Sequence, residues 1–204
     1  MKHTVEKKFN YSIVIFFFAI LTMLRCDGTS TSDVFKKYPN TYFVETGSYL
    51  GDGIQNALDT DNFEEIYSIE LSSYYYKICK VRFADFSNVY LYRGDSSKVL
   101  KKVIKKIDAP ATFWLDGHYS AGNTARGDTN SPILNELEII KNHKLHTHTI
   151  LIDDVRLFGT EEFDFVTLDM IIAKLLEINP NYTIVFENGY VNDDILVAYI
   201  KKKE

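Results

Sequence analysis

The sequence has few cysteines and no excess of basic charge. Only two cysteines occur among 204 residues. Cys26 lies at the end of an apolar N-terminal run and Cys79 lies far from it, so no internal disulfide framework is predicted. The formal net charge is -5 at pH 7. Nucleic acids and anionic membrane surfaces bind to basic faces, and this balance therefore disfavours both as the main partner.

The sequence also lacks an apolar run long enough to cross a membrane comfortably. Its longest run, Ile13 to Leu24, follows Lys2, Lys7 and Lys8 and is shorter than the ~20 residues of a spanning helix. A basic start, about a dozen apolar residues and then polar ones are typical of a targeting segment. We expect residues 1–32 to be a signal peptide or short membrane anchor plus linker, and the protein to be exported or anchored through this segment alone.

Internal repeats and low-complexity segments are absent, and the remaining chain is long enough for one packed domain, predicted over residues 33–204. Short apolar runs alternate with amphipathic segments throughout it. This alternation predicts an α/β fold: a Rossmann-like, seven-stranded, mostly parallel sheet with an antiparallel last strand and helices on both faces. The predicted strands are Tyr42–Val44, Ile66–Ile69, Val89–Tyr92, Thr112–Leu115, Thr149–Ile152, Tyr182–Phe186 and Ile195–Ile200. The predicted helices are Ile54–Leu58, Ser72–Phe83, Ser97–Ile107, Pro132–Lys141 with Ser131 as N-cap, and one around Leu168–Leu176.

Two clusters of ionisable residues are interpreted as solvent-exposed. Lys101, Lys102, Lys105 and Lys106 alternate with apolar residues at helical spacing, which predicts the exposed face of a helix. His143, His146 and His148 lie among lysines before the fifth strand, and we expect a solvated loop there instead of a metal cluster.

A glycine-containing turn follows the first predicted strand. Glu45 ends that strand, and Gly47 and Gly51 lie between it and the next helix. Glycine lets the backbone approach a ligand closely, and a helix N-terminus offers free N–H groups, so this segment suits a cofactor cradle. A plain strand-to-helix turn is the alternative interpretation.

An acidic residue follows each of the first five strands, where parallel sheets place their ligands. These residues are Glu45, Glu70, Asp95, Asp116 and the pair Asp153 and Asp154. Glu70 has the spacing from Glu45 of a carboxylate that binds ribose hydroxyls, although it could instead cap the helix near Ser72. Asp95 and Ser96 could contact an adenine edge or cap the helix expected near Lys98.

Three segments resemble the first motifs of class I S-adenosylmethionine-dependent methyltransferases: Glu45 to Gly51, Ser68 to Leu71, and Gly94 with Asp95. The spacing Gly47-x-x-x-Gly51-x-Gly53 departs from the nicotinamide fingerprint, which disfavours a dehydrogenase. The resemblance implies that S-adenosylmethionine is the cofactor. It implies cofactor contacts from Glu45, Gly47, Ser48, Tyr49, Gly51, Glu70, Leu71, Asp95, Ser96 and Asp116.

Two further segments, Trp114 to Tyr119 and Leu151 to Val155, are similar to the metal segments of cation-dependent, catechol-type O-methyltransferases. This likeness implies that Asp116, Asp153 and Asp154 hold Mg²⁺, a cation that prefers oxygen ligands. Asp154 stands where that family has an amide. The alternative is that Asp116 contacts the methyl-donor end of the cofactor and the Asp153–Asp154 pair contacts the following loop.

Tyr119 stands where the same family has a lysine base. His118 is the predicted substitute, because an imidazole titrates near neutrality and can accept a hydroxyl proton. Stacking on the adenine or exposure in a loop is the alternative role for His118. Asp116 and His118 are therefore the predicted catalytic residues.

Methyl transfer to a hydroxyl of a small-molecule or saccharide acceptor is the expected function, with the polar loop Gly117–Asn130 as a substrate lid. A metal-independent enzyme or a non-catalytic binding protein of the same fold is the alternative. An exported domain would be separated from S-adenosylmethionine, which is made in the cytosol. Three alternatives resolve this: an anchor that leaves the domain in the cytosol, a host compartment that imports the cofactor, or a chain that is no longer an active transferase.

Overall fold

A computed structural model describes residues 31–119 and 127–201. Within these residues the chain forms seven strands and six α-helices in the order α1, β1, α2, β2, α3, β3, α4, β4, α5, β5, α6, β6, β7. The strands are β1 Tyr42–Thr46, β2 Glu65–Glu70, β3 Val89–Arg93, β4 Ala111–Leu115, β5 Thr149–Ile152, β6 Thr183–Glu187 and β7 Ile195–Tyr199. The helices are α1 Thr31–Lys37, α2 Asp52–Leu58, α3 Ser73–Arg82, α4 Ser96–Val103, α5 Ile133–Lys141 and α6 Leu168–Ile178.

The strands form one sheet in the order β3-β2-β1-β4-β5-β7-β6. The pairs among β1 to β5 are parallel, whereas β7 is antiparallel to both of its neighbours, β5 and β6. The predicted fold class is therefore confirmed. The order changes direction between β1 and β4, which is where an open α/β sheet leaves a crevice for a ligand.

Helices cover both faces of the sheet. Alternate residues of β1 face opposite layers, so Phe43 packs with α1, α2 and α3 while Val44 packs with α4, α5 and α6. The four lysines of the α4 region are exposed opposite Leu100 and Val103, as the helical spacing predicts.

Helix ends differ slightly from the predicted ones. Helix α4 begins at Ser96 because the Asp95 carboxylate caps it, accepting the Ser97 N–H at 2.9 Å. The prediction of Ser131 as the N-cap of α5 is wrong by one residue: the helix begins at Ile133 and Pro132 is its N-cap, although the Ser131 hydroxyl accepts the Ile133 N–H at 3.4 Å.

The predicted targeting segment, residues 1–32, lies outside the described residues except for its last two, and residues 120–126 of the predicted lid also lie outside them. Export through this segment stays a prediction. Among residues 31–119 and 127–201, no helix combines the length and apolarity that a bilayer span needs.

The prediction of a solvated histidine loop is wrong for His148, which is completely buried. Its Nδ1 accepts the Ala111 N–H at 3.1 Å, so its Nε2 carries the proton and donates to His143 Nδ1 at 2.8 Å. The ring also meets the edge of Phe113. Because His148 directly precedes β5, its side chain packs against the neighbouring strand β4 and is not part of the solvated loop.

The buried imidazole predicts a loss of stability in mild acid. Burial lowers the pKa of His148 to about 3, while the unfolded chain binds a proton below about pH 6.5. Between pH 6.5 and pH 3 the unfolded state binds more protons than the folded state. The free energy of unfolding is therefore highest above pH 6.5 and falls by about 1.4 kcal/mol for each pH unit below it.

Urea unfolding at pH 7.5 and pH 5 should show the effect. We expect His148→Gln to be less stable than wild type at pH 7.5 but to lose about 2 kcal/mol less than wild type on acidification. The exposed His146→Gln is the control and should behave as wild type. Equal losses for wild type and His148→Gln would contradict the prediction.

Candidate functional site

A cavity of about 510 Å³ lies at the carboxyl ends of the parallel strands. The loops that follow β1 to β5 all contribute to its wall. Seven of the ten predicted cofactor residues line it: Gly47, Tyr49, Glu70, Leu71, Asp95, Ser96 and Asp116. The predicted lid contributes Gly117 to Tyr119 and Gly127 to Asn130.

Gly47 allows the turn after β1 to pass close to β4. Its φ of +86° lies in the left-handed region, and its N–H donates to the Ile69 carbonyl at 2.9 Å. A Cβ at this position would lie 2.2 Å from the Asp116 carbonyl oxygen. Glycine is therefore required both by the backbone conformation and by the approach of the two strand ends.

Glu70 joins the first and second of these loops. One carboxylate oxygen accepts the Tyr49 N–H at 2.8 Å and the other accepts the Ser72 N–H at 2.6 Å. Partial burial raises the pKa of Glu70, and these backbone N–H groups oppose that rise. Ser72 itself caps α3, so Glu70 contacts the helix start while still facing the cavity.

Asp95 also caps a helix and lines the cavity: its carboxylate caps α4, and the residue is part of the cavity wall. Burial disfavours its charged form, but hydrogen bonds from Ser97 and Lys98 outweigh this and lower its pKa. Lys98 also pairs with Asp128 of the lid at 2.7 Å.

Glu45, Ser48 and Gly51 lie behind the cavity wall. Glu45 is on the same side of β1 as Phe43, because side chains alternate along a strand, and its carboxylate is hydrogen-bonded to Ser68. Burial raises the pKa of Glu45 to about 8. The Ser48 hydroxyl lies 2.5 Å from that of Ser68. None of these three residues is among those that line the cavity.

The opposite end of the cavity contains Asp116, His118 and Asp154. The His118 Nδ1 lies 3.6 Å from Asp116 Oδ1, and its Nε2 lies 3.2 Å from Asp154 Oδ2. The imidazole packs on the ring of Phe163, with 4.9 Å between ring centroids. Burial lowers the pKa of His118, although the charge of Asp154 opposes this. Burial and the neighbouring carboxylates raise the pKa of Asp116.

Asp153 is oriented differently from its neighbour. Its Oδ1 accepts the Asp154 N–H at 2.9 Å, and its carboxylate lies with those of Asp154 and Asp194. Burial and the charge of Asp154 raise the pKa of Asp153 to about 7. The structure thus brings together two of the three predicted metal ligands, with His118 in place of the third.

Arg156 and Asp194 were not identified from the sequence. Arg156 Nη1 lies 2.5 Å from Asp154 Oδ1 and also pairs with the buried Asp194. The backbone N–H of Arg156 donates to Asp194 at 3.1 Å. Asp194 reaches this point because β7 inserts between β5 and β6, an order that local sequence patterns do not reveal.

A divalent cation fits the chemistry of these side chains. The donor atoms of Asp116, His118 and Asp154 all lie within 4.8 Å of one another. Carboxylate oxygens bind hard cations such as Mg²⁺, and an added imidazole also suits Mn²⁺ or Zn²⁺. The donor set is therefore compatible with the cation that the sequence predicts.

No family model and no curated protein matches this sequence. Solved structures do match its fold. A putative caffeoyl-CoA O-methyltransferase from Staphylococcus aureus is 15% identical with a TM-score of 0.57, and the match covers 93% of this chain and 91% of that one. The Podospora anserina methyltransferase PaMTH1, solved with bound SAH, is 14% identical with a TM-score of 0.52, covering 98% and 100%.

An O-methyltransferase from Bacillus cereus in complex with SAH is 12% identical with a TM-score of 0.54, and the match covers 93% of this chain and 90% of that one. The fold of this chain is therefore that of the class I S-adenosylmethionine-dependent methyltransferases. The resemblance found in the sequence motifs is confirmed at the level of the fold.

Proposed function

We propose that this protein transfers a methyl group from S-adenosylmethionine to a hydroxyl group of a small-molecule or saccharide acceptor, with the assistance of a divalent cation such as Mg²⁺. The observation that carries this proposal is the composition of the cavity. One end offers Glu70 and Asp95 beside a glycine turn, and the other offers Asp116, His118 and Asp154. The first group suits a nucleoside and the second suits a reacting hydroxyl.

The nucleoside would lie along the loops after β1, β2 and β3, with Gly117 of the loop after β4 at its border. The Glu70 carboxylate has acceptor capacity beyond its two backbone contacts and would take the ribose hydroxyls. Asp95 and Ser96 line the wall where the base would lie. Gly47 lines the cavity beside these loops, and the methionine portion would lie along its backbone.

The reaction requires that the sulfonium S–CH₃ bond breaks as a bond forms between that methyl carbon and the acceptor oxygen. The hydroxyl proton must leave; with His118 bound to the cation the Asp116 carboxylate would accept it, and without a cation His118 would. Asp116, Asp154 and His118 would hold the cation, which when bound lowers the pKa of a coordinated hydroxyl. Positioning of the two reactants contributes most of the rate enhancement.

A metal-independent methyltransferase is the second candidate, and Arg156 supports it. Its guanidinium already provides a positive charge beside Asp154. A hydroxyl oriented by these carboxylates could then lose its proton to His118 without a cation.

Isothermal titration calorimetry tests the proposal in two steps. Titration of the full chain with S-adenosylmethionine and with S-adenosylhomocysteine tests whether the cofactor binds. Titration with Mg²⁺ or Mn²⁺, before and after chelation, tests whether a cation binds. Absence of cofactor binding would rule out the enzyme, whereas cofactor binding without cation binding would favour the second candidate.

Substitutions at the acidic end should separate binding from chemistry. Asp154→Ala should lower methyl transfer about 100-fold or more and remove cation binding. Cofactor affinity should change little, because β5 lies three strand spacings, about 14 Å, from Glu70 on β2. Asp153→Ala should give the same result if Asp153 also binds the cation.

Asp85→Ala, in an exposed loop, is the control and should not alter transfer or binding. Unchanged cation affinity in the Asp154→Ala variant would contradict the assigned ligand role.

A further inference from the structure

Glu136 lies directly behind the cavity wall. It is in the first turn of α5 and only 1% exposed. A Cβ placed on Gly117 would lie 3.3 Å from Glu136 Oε1 and 3.3 Å from Thr46 Oγ1. Gly117 lines the cavity, so Glu136 and Thr46 contact this part of the wall from the inner side.

The polar atoms at this contact are incompletely paired. Glu136 Oε1 and Thr46 Oγ1 are both fully buried, and neither makes a hydrogen bond of good geometry within the part of the chain that the structure describes. The hydroxyls of Ser96 and Thr46 are nevertheless near enough to the Glu136 carboxyl group to interact with it. A buried polar group without a partner destabilises the folded state. Packing alone would favour an apolar residue here, because the neighbouring Ile133, Leu137 and Ile140 of α5 are all in the core.

The ionisation of Glu136 follows from the same burial. Removal from water raises its pKa to about 7, and the nearby hydroxyls of Ser96 and Thr46 oppose that rise. Asp95, at the start of α4, is the charged neighbour that acts on it and disfavours its negative form. The Glu136 carboxyl group therefore interacts with two residues that line the cavity, Asp95 through its charge and Ser96 through its hydroxyl.

We propose that Glu136 is a positioning residue for the nucleoside half of the cofactor, and that it acts through Gly117 and Ser96. Its carboxyl group, with the Thr46 hydroxyl, holds the wall formed by the loops after β3 and β4 in the shape that the nucleoside contacts. Burial of these polar atoms lowers the stability of the fold, and we attribute their presence to a contribution to cofactor binding. This inference rests on the proposed function, since it takes the ligand to be S-adenosylmethionine or its product.

Paired substitutions separate this role from a structural one. Glu136→Met removes the polar atoms but keeps the volume, so the melting temperature should stay the same or rise. Its affinity for S-adenosylhomocysteine should nevertheless fall about tenfold, as expected for the loss of one hydrogen-bonding group that shapes the wall. Glu136→Gln keeps the hydrogen-bonding oxygen and should restore most of that affinity.

The measurements are thermal unfolding of the ligand-free full chain and calorimetry with S-adenosylhomocysteine. Thr46→Val provides a second variant at the same contact and should also weaken binding without lowering the melting temperature. Glu138→Met is the control on the same helix, because Glu138 is partly exposed and pairs with Lys174. It should bind S-adenosylhomocysteine as wild type does.

Three outcomes would overturn the inference. Wild-type affinity in Glu136→Met would refute the positioning role and leave the proposed function intact. A parallel loss of stability and affinity in both Glu136→Met and Thr46→Val would identify a purely structural role. Failure of the wild-type protein to bind S-adenosylhomocysteine would overturn the proposed function and this inference together.

Discussion

Glu70→Ala should weaken binding of S-adenosylhomocysteine about 100-fold or more. The side chain makes two charge-assisted hydrogen bonds to backbone N–H groups, at 2.8 Å to Tyr49 and 2.6 Å to Ser72, and faces the cavity. Its removal therefore loosens the turn after β1 and also deletes the predicted ribose acceptor. Hydrogen bonds to a charged group contribute about 1.5–3 kcal/mol each, so a 100-fold loss corresponds to about two of them or fewer.

Calorimetry with S-adenosylhomocysteine measures this effect directly. Glu64→Ala is a suitable control, since Glu64 is an exposed acid that directly precedes β2, whereas Glu70 is the last residue of β2. It should leave the affinity unchanged. An affinity of Glu70→Ala within threefold of wild type would show that the nucleoside does not contact this carboxylate.

Gly47→Ala should destabilise the protein by about 3–5 kcal/mol and abolish cofactor binding. A φ of +86° costs an alanine about 1–2 kcal/mol. The larger contribution is steric, because the new Cβ would lie 2.2 Å from the Asp116 carbonyl oxygen and would force the ends of β1 and β4 apart. Total stabilities of single domains are about 5–15 kcal/mol, so the loss is a large fraction of the whole.

Gly159→Ala separates strain from steric overlap. Gly159 has a similar φ of +81°, but a Cβ there would meet nothing within 4 Å. Its cost should be the backbone strain alone, about 1–2 kcal/mol in urea unfolding, with cofactor affinity unchanged. If the two variants were equally stable, the close approach between the turn and Asp116 would not exist in solution.

Much of the cavity wall where the cofactor is proposed to bind could be predicted from the sequence, because its parts are local. Glu70 and Asp95 each directly follow a strand, and the ends of parallel strands lie along one edge of the sheet. The same rule could not tell that Glu45 turns away from the cavity, since this depends on which face of β1 is covered by α2 and α3. Gly53 lies so close to Glu45 that a Cβ would meet the carboxylate at 1.8 Å.

The acidic end of the site was only partly predictable. Asp116 and Asp154 were identified by their positions after strands, but the packing of His118 between them depends on Phe163, which is 45 residues further along the chain. Arg156 and Asp194 meet only because β7 lies next to β5. The burial of His148 similarly depends on contacts with Ala111 and Phe113 of the adjacent strand β4.

The sequence by itself determined the strand and helix alternation, the sheet class, the glycine turn and the acids at the strand ends, because short-range periodicity and residue type encode these features. The tertiary structure alone decided which of these carboxylates face the cavity, where Arg156 and Asp194 meet, and that Glu136 is buried behind the cavity wall. Burial and pairing arise from contacts between distant segments, and no local pattern records those contacts.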